Sequence, residues 1–174
     1  MIHRQLIFPA VLSLVFVTLC LAGTFESGKE PTGFRGLEWG SALPKSDMVY
    51  LRTDPSYGGV KLYKRPSDKL SIGGAKLSAV IYSYWQGKFC SVRIGCEGYE
   101  NFAALKEACF AQYGSGYQPN EYIQEYYWFG TVSSVLLEYS RITEKAALWI
   151  QSEAISAEQK ACEKKKAAES SKDF

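Results

Sequence analysis

Carboxylates are the side chains of this sequence that could carry out acid–base chemistry, because its single histidine is His3. His3 lies in a segment that we interpret below as an export signal, so the rest of the chain contains no histidine. This excludes Ser-His-Asp and Cys-His nucleophiles, histidine general bases and histidine-containing metal sites. A pair of carboxylates could still hydrolyse a glycosidic bond. The candidates for such a pair are Glu97, Glu100, Glu121, Glu125 and Glu138.

The sequence assigns a catalytic role to none of these glutamates. Charged side chains are mostly exposed to solvent, and Glu97 and Glu100 flank a predicted helix start, where the helix dipole favours negative charge. Glu138 shares its predicted strand face with Ser134, a pattern typical of a solvated face. We therefore predict a protein that is not an enzyme, with a carboxylate-dependent hydrolase as one alternative.

A dense aromatic stretch is the feature that most suggests a binding site. It comprises Tyr117, Tyr122, Tyr126, Tyr127, Trp128 and Phe129. Exposed aromatic rings can stack on sugars or hold a peptide. A glycan- or peptide-binding domain is thus a second alternative, with Tyr84, Tyr126 and Trp128 as its ligand-binding candidates. Ordinary strand packing uses the same residue types, so a structural role is the competing interpretation.

Four cysteines are candidates for disulfide bonds: Cys90, Cys96, Cys109 and Cys162. An even number is typical of an exported, disulfide-bonded domain, although four cysteines allow three pairings and buried free thiols are the alternative. Cys90 and Cys96 lie on one predicted strand, ~20 Å apart, so they cannot bond to each other. We predict at least one bond that includes Cys109 and ties a helix to the sheet. The spacings lack the paired cysteines of structural zinc, so no metal site is predicted.

The composition narrows the range of partners. The net charge is +2, and the lysines and arginines are scattered along the chain. Nucleic-acid binding needs a basic stripe that neutralises phosphates, so we expect no nucleic-acid partner. Gly73-Gly74 and Gly114-Ser115-Gly116 lack the spacing of a phosphate-binding loop, and no cofactor is predicted. The expected partner is an envelope protein or a glycan.

Residues 1–22 have the anatomy of a signal segment. A short cationic start precedes an apolar run over residues 6–22, and Cys20 and Ala22 suit cleavage before Gly23. An uncleaved membrane anchor and a lipoprotein acylated at Cys20 are the two alternatives. All three place the domain outside the cytoplasm, in the periplasm or secreted, with membrane contact only through this segment if it is retained or acylated.

The remaining chain divides into a polar linker at residues 23–33, a domain at 34–152, and a C-terminal helix and tail at 153–174. Aromatic and β-branched residues favour sheet, and helical spacing of apolar residues over 100–113 predicts one central helix. The predicted fold class is α+β, an antiparallel sheet with one helix packed on a face and a second helix at the C-terminus. Strands are predicted at 34–40, 59–65, 122–129, 133–139 and 146–151, with a turn or short helical piece at 46–48.

The segment 69–96 is predicted in most detail. Gly73-Gly74 predicts a two-residue hairpin turn, and a second turn is expected at Gln86-Gly87. That loop sets Ile81 opposite Val92, Ala79 opposite Ile94 and Leu77 opposite Cys96. These residues, together with Cys90, would then face the core, while Tyr82 and Tyr84 would lie on the other face of the hairpin.

The opening of the domain resembles a known group of sequences. Residues 34–40 read Phe-Arg-Gly-Leu-Glu-Trp-Gly, and a Tyr-rich strand, a hairpin, Phe102-x-x-Leu105 and Tyr113-Gly114 follow. This pattern is similar to a group of small exported bacterial proteins with no assigned activity. The resemblance implies an envelope location and an antiparallel sheet with a packed helix. We therefore expect an exported, non-enzymatic binding or assembly module of the cell envelope.

Overall fold

The computed structural model describes residues 23–170, and its main element is a seven-stranded antiparallel sheet. The strands are β1 (Gly33–Phe34), β2 (Leu37–Glu38), β3 (Val49–Asp54), β4 (Val60–Lys64), β5 (Ser71–Ile72), β6 (Ala75–Lys76), β7 (Ala79–Trp85), β8 (Lys88–Glu97), β9 (Gln124–Phe129), β10 (Ser133–Ser140) and β11 (Lys145–Ser152), and the helices are α1 (Tyr99–Tyr113) and α2 (Glu153–Ser170). The large sheet has the order β3-β4-β7-β8-β11-β10-β9, and β1-β2 and β5-β6 form two small hairpins.

The α+β prediction is wrong, because the structure is mostly β, with 41% strand and 24% helix. The sequence analysis also missed strand β3, because its residues are almost all exposed and show no apolar alternation to identify them. Only a turn or helical piece at residues 46–48 was expected in this region. An edge strand without a buried face has no periodic signal, so sequence patterns miss it.

Helix α1 covers one face of the large sheet, which we call the inner face. Its buried residues Phe102, Leu105, Cys109 and Tyr113 recur at helical spacing and point at the sheet. The helix ends at Gly114, whose φ of 86° suits glycine and whose N–H donates to the Phe110 carbonyl. The core of the protein lies between this helix and the inner face.

Helix α2 crosses the opposite face, which we call the outer face, at one end only. Its Ile155 packs with Val60, Trp85 and Cys90 in a second apolar cluster. Glu158 extends from the same helix to the Lys88 ammonium, 2.8 Å away. The part of the outer face beyond this cluster has no helix over it among the described residues.

A β-bulge decides which residues of the β7–β8 hairpin face the core. The turn falls at Gln86-Gly87 as expected, with φ of 49° and 79°. The register then shifts between Ser83 and Tyr84, because Cys90 is an extra residue on β8. Consequently Tyr82 lies opposite Val92 and Val80 opposite Ile94, and the predicted pairs Ile81–Val92 and Ala79–Ile94 are wrong by one residue.

The segment expected to be a linker lies against the domain. The Gly23 carbonyl accepts a hydrogen bond from the Phe129 N–H at 2.6 Å, and the Glu26 N–H donates to the Tyr113 carbonyl at 3.0 Å. The Glu30 carboxylate accepts from the N–H groups of Val132 and Ser133. Residues 23–33 therefore pack against the Phe129 end of β9, the end of α1 and the turn between β9 and β10.

The motif at residues 34–40 has a structural role. Arg35 and Gly36 form the positive-φ turn between β1 and β2. The Trp39 ring packs 4.8 Å from the Phe89 ring, and its indole N–H donates to the hydroxyl of Ser133 at 2.7 Å. The Gly73-Gly74 turn is confirmed as well, since it joins β5 to β6.

Two parts of the sequence-based description lie outside the described residues: the signal segment 1–22 and the end of the tail, residues 171–174. Within residues 23–170, neither helix combines the length and the apolar character needed to cross a bilayer.

Candidate functional site

The aromatic residues named as ligand-binding candidates are part of the core. Tyr84, Tyr126 and Trp128 are 2%, 6% and 0% exposed. The Trp128 indole N–H donates to the Gly114 carbonyl at 2.8 Å, and the Tyr84 ring packs against that of Tyr63. The three side chains therefore stabilise the inner face and are not available to a ligand. Side chains alternate along a strand, and only the position of α1 decides which set is covered.

The other aromatic set of the same strands lies on the uncovered part of the outer face, which we call the open face. We define the open face by one cross-strand row and the residues beside it. The row consists of Ile81, Arg93, Trp149, Leu136 and Tyr127, and Phe129, Glu125 and Glu138 adjoin it.

Small side chains create a depression of about 630 Å³ in the open face. Ala79, Gly95 and Ala147 are cross-strand neighbours on β7, β8 and β11, and they form its floor. The Arg93 row borders the floor on one side, and the Glu97–Lys145 pair borders it on the other. This volume is within the range of small-ligand sites.

Aromatic rings lie beside this depression. The Arg93 guanidinium stacks 4.4 Å from the centre of the Trp149 ring, which is 37% exposed. Further along the face, the Tyr127 and Phe129 rings stack at 5.8 Å with an interplanar angle of 11°. The result is a flat, partly exposed surface that can receive a planar or ring-shaped ligand.

Two carboxylates meet at one end of the depression. Glu125 on β9 lies directly opposite Glu138 on β10, and like charges in that arrangement destabilise a sheet. The Tyr127 hydroxyl donates to Glu125 at 3.1 Å. Burial, this hydrogen bond and the two nearby carboxylates raise the pKa of Tyr127.

The structure brings together some of the candidate glutamates and leaves others apart. Glu97, Glu125 and Glu138 line the depression, whereas Glu100 and Glu121 do not. Trp149 and Arg93 were missed by the sequence analysis. The signal was present, because β11 alternates buried Ala146, Leu148 and Ile150 with outward positions, and a tryptophan occupies one of these.

The four cysteines are free thiols that lie on opposite sides of the sheet. Cys96 and Cys109 belong to the inner-face core, whereas Cys90 lies in the outer cluster, against which Cys162 packs. The expectation that Cys90 shares the inner face is wrong, because the bulge at this residue turns it outward. Burial raises the pKa of the Cys90 thiol to about 11 and that of Cys109 to about 12.

This arrangement predicts a specific disulfide pattern in oxidised protein. We expect Cys109 to bond with Cys96 and not with Cys90 or Cys162, because the sheet separates the two groups. Any bond of Cys90 is then expected with Cys162. Peptide mapping of non-reduced protein by mass spectrometry tests the pattern. In reduced protein at pH 8, iodoacetamide should modify the half-buried Cys162 first. The other three thiols are buried, and burial disfavours the thiolate form that reacts with iodoacetamide. A Cys90–Cys109 bond, or modification of Cys109 first, would contradict the prediction.

Among residues 23–170, no group of three or more histidine, cysteine, aspartate or glutamate side chains could hold a metal ion. No family model, no curated protein and no solved structure matches the chain. The open face is therefore the feature of the molecule from which a function can be inferred.

Proposed function

We propose that this chain is an exported, non-enzymatic module of the cell envelope that binds a glycan on its open face. The observation that carries the proposal is Trp149, a partly exposed aromatic ring beside a depression with polar walls. Aromatic rings stack on the apolar faces of sugars, and carboxylate, guanidinium and hydroxyl groups bond to sugar hydroxyls. The open face supplies both kinds of group within one surface.

The balance of charges on the open face favours a neutral or amine-bearing glycan as the ligand. Glu97, Glu125 and Glu138 line the depression together with only two cations, Arg93 and Lys145. A polyanionic ligand would meet more like charge than opposite charge. A hydroxyl-rich ligand can use carboxylates as acceptors and Arg93 as a donor.

The N-terminal sequence supports the exported location. A cationic start and the apolar run over residues 6–22 are the features by which export signals are recognised. An envelope protein meets glycans as a major component of its surroundings, so the location and the surface chemistry agree.

A carboxylate-dependent hydrolase is a second candidate, favoured by the opposition of Glu125 and Glu138. Directly opposed residues on neighbouring strands have Cβ atoms roughly 5 Å apart, so the two carboxyl groups can approach each other as the acid pair of a glycosidase does. Such an enzyme would release reducing ends from a glycan, and a Glu138→Gln variant would lose that activity. Turnover of the glycan by the wild-type protein would replace the binding proposal with this one.

Calorimetry with a β-1,4-linked tetramer of N-acetylglucosamine tests the binding proposal. We expect measurable binding by the wild type and a loss of about fivefold or more in Trp149→Ala, because a stacking ring contributes roughly 1 kcal/mol or more. Tyr50→Ala is the matched control, since Tyr50 is an exposed aromatic residue that packs on Tyr63, on the inner face. Equal affinity of Trp149→Ala and the wild type, or no binding of the tetramer, would refute the proposal.

A further inference from the structure

A second depression, of about 440 Å³, adjoins the first. Both are lined by Ser78, Ala79 and Ile81, so they meet along the start of β7. Strands β4 and β7 separate here, because their pairing ends at Tyr63 and Tyr82. From Ala79 to Ile81, strand β7 pairs only with β8 in the part of the chain that the structure describes.

This second depression has the chemistry of a site for an extended peptide. A strand with one unpaired edge offers backbone donors and acceptors to a further strand, and neighbouring apolar side chains provide contacts for alternate residues. Here the apolar contacts are Leu51 and Leu70, both exposed. The exposed ammonium of Lys64 lines the same depression and can pair with a carboxylate of the peptide.

One wall of this depression, which contains Asp68, is held in place by buried ionic contacts. The Asp68 carboxylate accepts a hydrogen bond from the Tyr82 hydroxyl at 2.6 Å and pairs with the Arg35 guanidinium at 3.2 Å. The Arg65 guanidinium lies 5.5 Å from the centre of the Tyr82 ring. A site with fixed walls loses little conformational entropy when a ligand binds.

We infer that the ligand is a glycan that carries a short peptide branch ending in a carboxylate, with the sugar beside Trp149 and the peptide along β7. This inference rests on the proposed function. Trp149 lies two strands from Ile81, which is about 10 Å across the sheet. The two depressions are therefore close enough for a sugar and a peptide attached directly to it.

The experiment compares two probes that differ only in the peptide. One is a disaccharide of N-acetylglucosamine and N-acetylmuramic acid with its stem peptide, and the other is the same disaccharide with its lactyl carboxyl group capped as a simple amide in place of the peptide, so that both sugars are neutral. We expect the peptide to increase the affinity of the wild type about tenfold. Leu70→Asp and Lys64→Ala should lose most of this increase and bind the bare disaccharide as the wild type does.

Ile142→Asp is the matched control for Leu70→Asp, because Ile142 is exposed and lines neither depression. Thermal unfolding verifies that each variant is folded. Equal affinity of the wild type for the two probes, or an unchanged peptide effect in both variants, would overturn the inference while the glycan proposal survives. Failure of both probes to bind would instead refute the glycan proposal, and tighter binding of the free peptide than of the conjugate would show a peptide-binding protein.

Discussion

Replacing Trp128 with alanine is expected to lower the free energy of unfolding by about 3–5 kcal/mol. The side chain is fully buried, contacts the rings of Phe110 and Tyr113, and donates its indole N–H to the Gly114 carbonyl. Its removal leaves a large cavity and an unpaired carbonyl group at the end of α1. Urea denaturation followed by circular dichroism measures the loss.

Trp149→Ala is the variant to compare with Trp128→Ala, because it removes a tryptophan from the opposite face of the sheet. Trp149 lies on the same sheet but on the open face, so its removal is expected to change stability by no more than about 0.5 kcal/mol. It should nevertheless weaken glycan binding, whereas Trp128→Ala should retain binding at temperatures at which it is folded. The assignment of the two faces fails if Trp149→Ala is the less stable variant.

Replacing Asp68 with alanine is expected to destabilise the fold by roughly 3–5 kcal/mol. The Asp68 side chain is 5% exposed and is the shared partner of Arg35 and the Tyr82 hydroxyl. Removing it leaves a half-buried cation and a buried hydroxyl without this partner, and each then incurs a desolvation penalty. The midpoint of urea unfolding gives the size of the effect.

An exposed ion pair serves as the control for Asp68→Ala. Lys165 lies 4.0 Å from Glu169 on α2, and both side chains are largely exposed. Solvent screens such a pair, so Lys165→Ala is expected to leave the unfolding midpoint unchanged. A similar midpoint for Asp68→Ala and Lys165→Ala would mean that the buried network does not stabilise the domain.

The buried network also explains why the loop between β4 and β5 has a defined position. This loop has no strand pairing of its own, and Asp68 ties it to β7 through Tyr82 and to the β1–β2 turn through Arg35. The second depression depends on that position, because Pro66, Asp68 and Leu70 form one of its walls. Loss of Asp68 should therefore weaken the peptide-dependent part of binding as well as the fold.

Several elements of the structure follow from local sequence patterns. Apolar periodicity identifies the helix near residues 100–113 and the strands near residues 59–65, 122–129, 133–139 and 146–151. Residues that tolerate positive φ identify the turns at Gly73-Gly74 and Gln86-Gly87. The helix and the turns depend on interactions within a few residues of the chain, and the strands carry a local sequence pattern although their pairing is long-range. A pattern in the sequence is enough to identify them.

The faces of the strands and the location of the site depended on the tertiary structure. One extra residue at Cys90 reverses which side chains of β7 face the core, and no local pattern marks it. Tyr126 and Tyr127 are neighbours of the same type, yet α1 covers the first and leaves the second on the open face. The sequence by itself determined the apolar character of residues 6–22, the absence of histidine after them and most of the strands. The bulge at Cys90 and the packing of the two helices on opposite faces decided which aromatic residues are core and which can meet a ligand, because burial is set by contacts between distant parts of the chain.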